Sequence, residues 1–199
     1  VKWLVVDGID GSGKNTVGNI LKEWYVAKGD DVVIMQHPSN RLSGKISRKA
    51  LQSEGALMRV FASVFYITDV LISVSKLKRL KRTNKTVIFI RYLMGTAYLP
   101  ERFVELGYDL FAKVLPTSKA MMLVDIKPEV AHDRIFSRTD TKEMFEDIEN
   151  LRKARRKVIG LSKKGWTVLE NSGDIEESKA SLFKIVESWE KEGATSYPR

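Results

Sequence analysis

With 199 residues, 43% of them hydrophobic and 30% charged, and a net charge of +9, the chain has the size of a single domain, 1–199, with a core and a cationic surface. The absence of cysteine and the presence of two histidines exclude disulfides, thiolate chemistry and clustered zinc ligands, in keeping with a reducing, cytoplasmic compartment. No apolar run approaches the roughly 20 residues that cross a bilayer, and Val1 to Val6 meets Asp7 too soon for a signal peptide, so no membrane partner is expected.

In chain order, Lys2 to Asp7 reads as a buried strand, and Thr16 to Lys28 as a helix closed by Gly29-Asp30-Asp31. Val32 to Gln36 is a second, β-branched strand. Leu57 to roughly Leu80 carries apolar residues at helical spacing, among them Phe61, Val64, Phe65, Leu71 and Val74. Val87 to Ile90 and Ala120 to Val124 are a third and a fourth strand, the latter ending on Asp125. A helix follows Pro128, because proline suits a first helical turn. Ser137 to Glu143 is polar and has no core residue; a short lid over about 137–146 is expected there. Phe145 to Leu161 reads as a charged helix, Trp166 to Glu170 as the fifth strand and Ile175 to Glu190 as the closing helix. The alternation predicts an α/β fold, a five-stranded parallel sheet with helices on both faces.

The motif with the most chemical content is Gly8-Ile9-Asp10-Gly11-Ser12-Gly13-Lys14-Asn15-Thr16, directly after a strand and before a helix. Its G-x-x-x-x-G-K spacing is that of a phosphate-binding P-loop. Glycines let main-chain N–H groups curl around phosphate oxygens, the helix N-terminus adds partial positive charge, and Lys14 brings a point charge to the β- and γ-phosphates. A dinucleotide fingerprint is excluded because Thr16 stands where its last glycine or alanine belongs. Asn15 stands where the loop normally has Ser or Thr to reach Mg²⁺, so Asn15 and Thr16 are the candidate metal ligands.

Further along, Pro38-Ser39 precedes Gly44-Lys45-Ile46-Ser47-Arg48, and the third strand ends in Ile90-Arg91-Tyr92. Leu123 to Ala131 is followed by Arg134 and Arg138, then Phe145-Glu146, and Trp166 to Leu169 by Asn171 to Glu177. With the loop Val6 to Lys14, these segments resemble, in order and over nearly the whole chain, the P-loop, proline segment, D-R-Y motif, lid approach and final strand of thymidylate kinases. The resemblance implies a P-loop NTPase fold, ATP and Mg²⁺ as cofactors, small-molecule nucleotides as partners and a homodimer. It implies transfer of the γ-phosphoryl group of ATP to a nucleoside monophosphate, dTMP to dTDP. By resemblance, Asp10 meets the acceptor's sugar hydroxyl and Arg91 its phosphate, with Arg41 and Arg48 as further candidates. Phe61, Phe65, Tyr92 and Tyr98 are expected to line the base pocket, and Arg134 to lie near adenine. Because Ser12 is not arginine, the catalytic arginine is expected from the lid side, where Arg138, Lys142 and Arg155 are the available cations.

The ATP half of the family pattern is kept more fully than the acceptor half. Ile90 replaces the acid of D-R-Y, His37 stands where an acidic residue usually precedes the proline, and Ile67-Thr68-Asp69-Val70 has no base-reading arginine. Pro100 lies near a position that often carries a base-contacting polar residue. The alternatives are a deoxynucleoside or other small-substrate P-loop kinase, and a degenerate nucleotide-binding paralogue with little turnover. The surplus of cations fits a small polyphosphate as well as a nucleic acid, and charge alone does not separate them. The basic run Lys76 to Lys85 reads as the solvated end of a helix, where cations face the negative dipole, so nucleic acid is not the expected partner. Arg152 to Lys157 reads equally as a solvated run and as a source of cations for ATP.

Overall fold

The computed structural model describes residues 1–40, 56–83, 85–137 and 148–197, and over 56–64 the helical backbone alone. Five parallel strands form one sheet: β1 (Lys2–Asp7), β2 (Asp31–Gln36), β3 (Lys85–Ile90), β4 (Ala120–Asp125) and β5 (Thr167–Glu170), in the order β2-β3-β1-β4-β5. The helices are α1 (Lys14–Ala27), α2 (Ala56–Leu80), α3 (Glu101–Val114), α4 (Pro128–Phe136), α5 (Ile148–Ser162) and α6 (Ile175–Glu192), with a 3₁₀ turn at Leu93–Tyr98.

Alternation along β1 divides the core. Trp3 and Val5 face one side with Val87 and Phe89, against Val70, Val74 and Leu77 of α2 and Leu151, Val158 and Leu161 of α5. Leu4 and Val6 face the other with Ile88 and Ile90, against Val17, Leu21 and Tyr25 of α1 and Leu182, Val186 and Trp189 of α6. Being covered on both sides, the inner strands are continuous apolar runs with no polar face, as parallel sheets require.

Register places the chemistry. Val6 pairs with Ile90, so the loops leaving β1 and β3 emerge side by side at the C-terminal edge. β1 has β3 on one side and β4 on the other, which makes this edge a switch point where a crevice opens.

No element is predicted from the sequence between Ile90 and Ala120, yet the 3₁₀ turn and α3 lie there. The inward positions of α3 do have helical spacing, with Val104 and Tyr108 buried and Phe111 packed on the core. Its outer face also carries Phe103, Leu106, Leu110 and Val114. Opposite these residues Glu101, Arg102, Glu105, Asp109 and Lys113 form one polar face, so the amphipathic pattern is present in the sequence over this segment.

Candidate active site

The phosphate loop links β1 to α1 and folds back on itself. Gly11 and Gly13 have φ of 76° and 86°, and a Cβ on Gly11 would meet the carbonyl oxygen of Ala131 at 2.6 Å. The glycines are therefore fixed by packing as well as by backbone conformation. The Ile9 carbonyl accepts from the Ser12 N–H at 3.2 Å and from Lys14 Nζ at 2.9 Å. The Ser12 hydroxyl is buried. Asn171, just beyond β5, donates from Nδ2 to the Ser12 carbonyl at 2.7 Å and pins the loop from the side.

Asp10 gathers the charges. Its carboxylate accepts from Lys14 Nζ at 3.3 Å, from the Arg91 guanidinium, and from the Tyr98 hydroxyl at 3.4 Å. Burial pushes the Asp10 carboxyl up, but Arg91 and Lys14 together hold it below the ordinary carboxylate value. Burial, then the neighbouring Arg91 charge, lowers Lys14 to about 8 against the opposing pull of Asp10 and Asp7. Burial also works against the Arg91 charge, and Asp10 outweighs it, so the guanidinium stays above its ordinary value. Three charged groups from two loops thus meet at one point, with the carboxylate as counter-ion to both cations.

Arg91 is held from behind. It is the one described non-glycine residue with positive φ, at 64°. Its N–H donates to the Val6 carbonyl at 3.0 Å, and its carbonyl accepts from His37 Nδ1 at 2.7 Å. A carbonyl cannot donate, so Nδ1 carries the proton, and the Ser73 hydroxyl of α2 lies 2.7 Å from Nε2. His37 is buried. Asp69 of α2 accepts from the N–H and the hydroxyl of Ser39, both at 2.6 Å, and ties the segment after β2 to the same helix. Asp7, also buried, accepts from the N–H groups of Gly8, Tyr92 and Met94 and fixes the start of the 3₁₀ turn.

Two cavities flank this cluster. One, about 220 Å³, is lined by Gly13, Thr16, Arg134 and Asn171 with Ile175 and Leu182 of α6. Arg134 Nη2 donates to the Asn171 carbonyl at 3.1 Å. The other, about 320 Å³, includes Gly8, Asp10, Arg91, Tyr92 and Tyr98.

Several expectations are corrected. Phe65 is half-buried and absent from the described lining of the larger cavity, which takes Tyr66, Ile67 and Val70 from α2. Successive helical residues point about 100° apart, so Tyr66 and Val70 share a face that Phe65 does not. Tyr92 borders the cavity, but mainly as a core residue: its ring packs edge-on to Trp3 and Phe89, and its hydroxyl donates to the Pro116 carbonyl. Arg155, an expected lid cation, instead makes two bonds to Asp125, at 2.8 and 2.7 Å. In the same basic run, Arg152 pairs with Glu129 and Lys157 Nζ donates to the Leu99 carbonyl, so these cations join α5 to its neighbours. In the earlier run, Leu77 is buried and Lys78 and Arg79 occupy the last turn of α2. Arg41, Arg48, Arg138, Lys142, the lid and the side chain of Phe61 lie outside the described residues. His37, Asn171 and Tyr66 carry contacts that sequence reasoning missed, because each bonds a partner distant along the chain.

Asn15 and Thr16 are exposed at the start of α1. At the end of β3, Ile90 is buried with its Cδ1 2.6 Å from where a Cβ on Gly18 would stand. An apolar contact therefore fills the place of the family's carboxylate, and among the described residues no group of three His, Cys, Asp or Glu could hold a metal ion.

No described helix is long and apolar enough to cross a membrane. The profile of the thymidylate kinase family matches residues 6–182. A probable thymidylate kinase of Archaeoglobus fulgidus is 27% identical over 190 residues, covering 94% of this chain and 95% of the relative. A thymidylate kinase of Leptospira borgpetersenii is 31% identical over 162 residues, 77% of each chain. Probable thymidylate kinase 1 of Saccharolobus solfataricus is 27% identical over 193 residues, 94% of this chain and 97% of the relative. With the phosphate loop at the switch point of a five-stranded parallel sheet and a family match over most of its length, the chain belongs to the thymidylate kinase family.

Proposed function

We propose that this protein transfers the γ-phosphoryl group of ATP to a nucleoside monophosphate, with dTMP as the first acceptor to consider. The observation that carries the reading is the meeting of Lys14, from the phosphate loop, and Arg91, from the end of β3, on the single carboxylate of Asp10. Two cations so placed can each receive one phosphate, a donor's and an acceptor's, and Asp10 neutralises them until the phosphates arrive.

In this reading Lys14 and the N–H groups of Gly11 to Thr16 hold the β- and γ-phosphates, and Arg134 borders the adenine in the smaller cavity. Arg91 holds the acceptor phosphate with two parallel hydrogen bonds, and Asp10, released, accepts from the sugar hydroxyl. An acceptor phosphate oxygen attacks the γ-phosphorus, the bond to the β,γ-bridging oxygen breaks, and ADP leaves. Such transfer needs little covalent help; alignment and charge neutralisation dominate. Magnesium would be carried chiefly by the ATP phosphates, with Asn15 or Thr16 as the near side chain. A homodimer, the assembly implied by the resemblance, is supported by the apolar outer face of α3.

The Ile90 contact and the exposed Asn15 favour a second reading, a nucleotide-binding protein with little turnover. A coupled assay of ADP release, with ATP and Mg²⁺ across dTMP, the other nucleoside monophosphates and thymidine, separates the two. Acceptor-dependent release with dTMP supports the kinase. Turnover of thymidine instead moves the protein to nucleoside kinases, and ATP binding without release from any acceptor establishes the second reading.

A further inference from the structure

Asn171 follows β5 and is buried at the edge of the smaller cavity. Its main chain is held on two sides. The N–H donates to the Asp125 carbonyl at 2.9 Å, and the carbonyl accepts from Arg134 Nη2 at 3.1 Å. From between these anchors the side-chain amide reaches the phosphate loop. Nδ2 donates to the Ser12 carbonyl at 2.7 Å and stands 2.6 Å from where a Cβ on Gly13 would lie. A carbonyl only accepts, so the amide nitrogen is the atom that faces it. In a trans peptide the C=O and the following N–H point in opposite directions. The Gly13 N–H is therefore turned away from Asn171, and it has no hydrogen-bond partner among the described residues.

We propose that Asn171 is a positioning residue for the donor's phosphates, holding the Ser12–Gly13 peptide so that the Gly13 N–H is presented to a phosphate oxygen. The proposal rests on the reading of Gly8 to Thr16 as the ATP site of a kinase. Its physical basis is the freedom of glycine. Gly13 has φ of 86° and no Cβ, which lets the Asn171 amide approach but also lets the peptide turn over at little cost. Turned over, the peptide aims its carbonyl at the phosphates and replaces an attraction by a repulsion. The bond from Asn171 opposes that turn, because a Ser12 carbonyl rotated off it leaves a buried amide unpaired. The contact with Arg134 uses the main-chain carbonyl of Asn171 instead, so a change of side chain acts on the phosphate loop and leaves that contact in place.

The test measures Kd for ATP with Mg²⁺, and for adenosine, which lacks the phosphates. The parent protein is compared with Asn171→Ala and Asn171→Leu, each below its own unfolding temperature. Leucine fills the space of asparagine without supplying a donor. The expected result is that both variants bind ATP about tenfold or more weakly and bind adenosine within about threefold of the parent. ATP affinity unchanged in both variants overturns the proposal. Parent-like ATP affinity in Asn171→Leu alone also overturns it and makes the side chain a space filler. Equal losses on ATP and adenosine overturn it as well and assign Asn171 to the base site or to the fold at large. In each of these cases the ATP site stands. A parent protein that binds no ATP removes the site itself, and the proposal falls with it.

Discussion

Lys14 is buried beside another cation, and that sets a pH dependence. Its pKa is lowered to about 8, by burial first and Arg91 next, whereas the ATP phosphates would favour the charged ammonium and draw the pKa back up. Below about pH 8 Lys14 is already protonated in the free protein, and ATP binding takes up no proton there. Above it, binding draws up as much as one proton, and Kd weakens by up to about tenfold per pH unit. Calorimetry near pH 9 in two buffers of different ionisation heat measures this uptake directly; its absence would remove Lys14 from the phosphates. Arg91 depends in turn on His37, which bonds its carbonyl at 2.7 Å and lies against Phe89. His37→Ala is expected to lower kcat/KM for the acceptor by roughly tenfold or more through displacement of the guanidinium. Stability should fall by about 1–3 kcal/mol from the unpaired groups left behind. ATP affinity measured separately should hold; equal losses on both substrates would mean that His37 supports the fold at large. Asn171 shows why such residues escape a sequence reading. It bonds the Ser12 carbonyl across 159 positions, and no local spacing records that distance.

At the scale of elements, the phosphate loop and the strands were legible because their signals are local. Glycine spacing and β-branched runs do not depend on what packs against them. Helix α3 carries an equally local signal, a polar face of Glu101, Arg102, Glu105, Asp109 and Lys113 opposite a broad apolar one, and it was passed over. The role of α5 was left open by the sequence: its cations look alike there, and only packing shows that Arg155 lies against Asp125. This pair fastens α5 to the end of β4, with Asp125 nearly buried and Arg155 about one-third exposed. Arg155→Met should cost about 2 kcal/mol in denaturant unfolding, less than a fully buried pair because solvent screens the arginine. Adding Asp125→Asn should recover part of that loss, as a double-mutant cycle would show. With stability restored, kcat should remain within about tenfold of the parent; a fall of about a thousandfold would make Arg155 a catalytic cation after all.

At the scale of the whole molecule, the outer face of α3 holds the longest row of exposed apolar side chains among the described residues. Leu106, Leu110 and Val114 are 67%, 59% and 69% exposed, in line with Phe103 one turn earlier. Such a stripe on a water-facing helix marks a contact surface. An antiparallel pairing about a two-fold axis would bring this stripe against its own copy. The family resemblance points the same way, and the surface is remote in sequence from the phosphate loop. Sedimentation equilibrium at micromolar protein is therefore expected to give twice the chain mass. Leu106→Glu with Leu110→Glu should give a monomer whose circular dichroism is unchanged, because both side chains already face solvent in the single chain. A parent protein that sediments as a monomer would show that α3 does not pair copies of this chain. A double variant that remains dimeric would move the interface to another face, where the exposed Leu71 and Ile72 of α2 are the next apolar candidates.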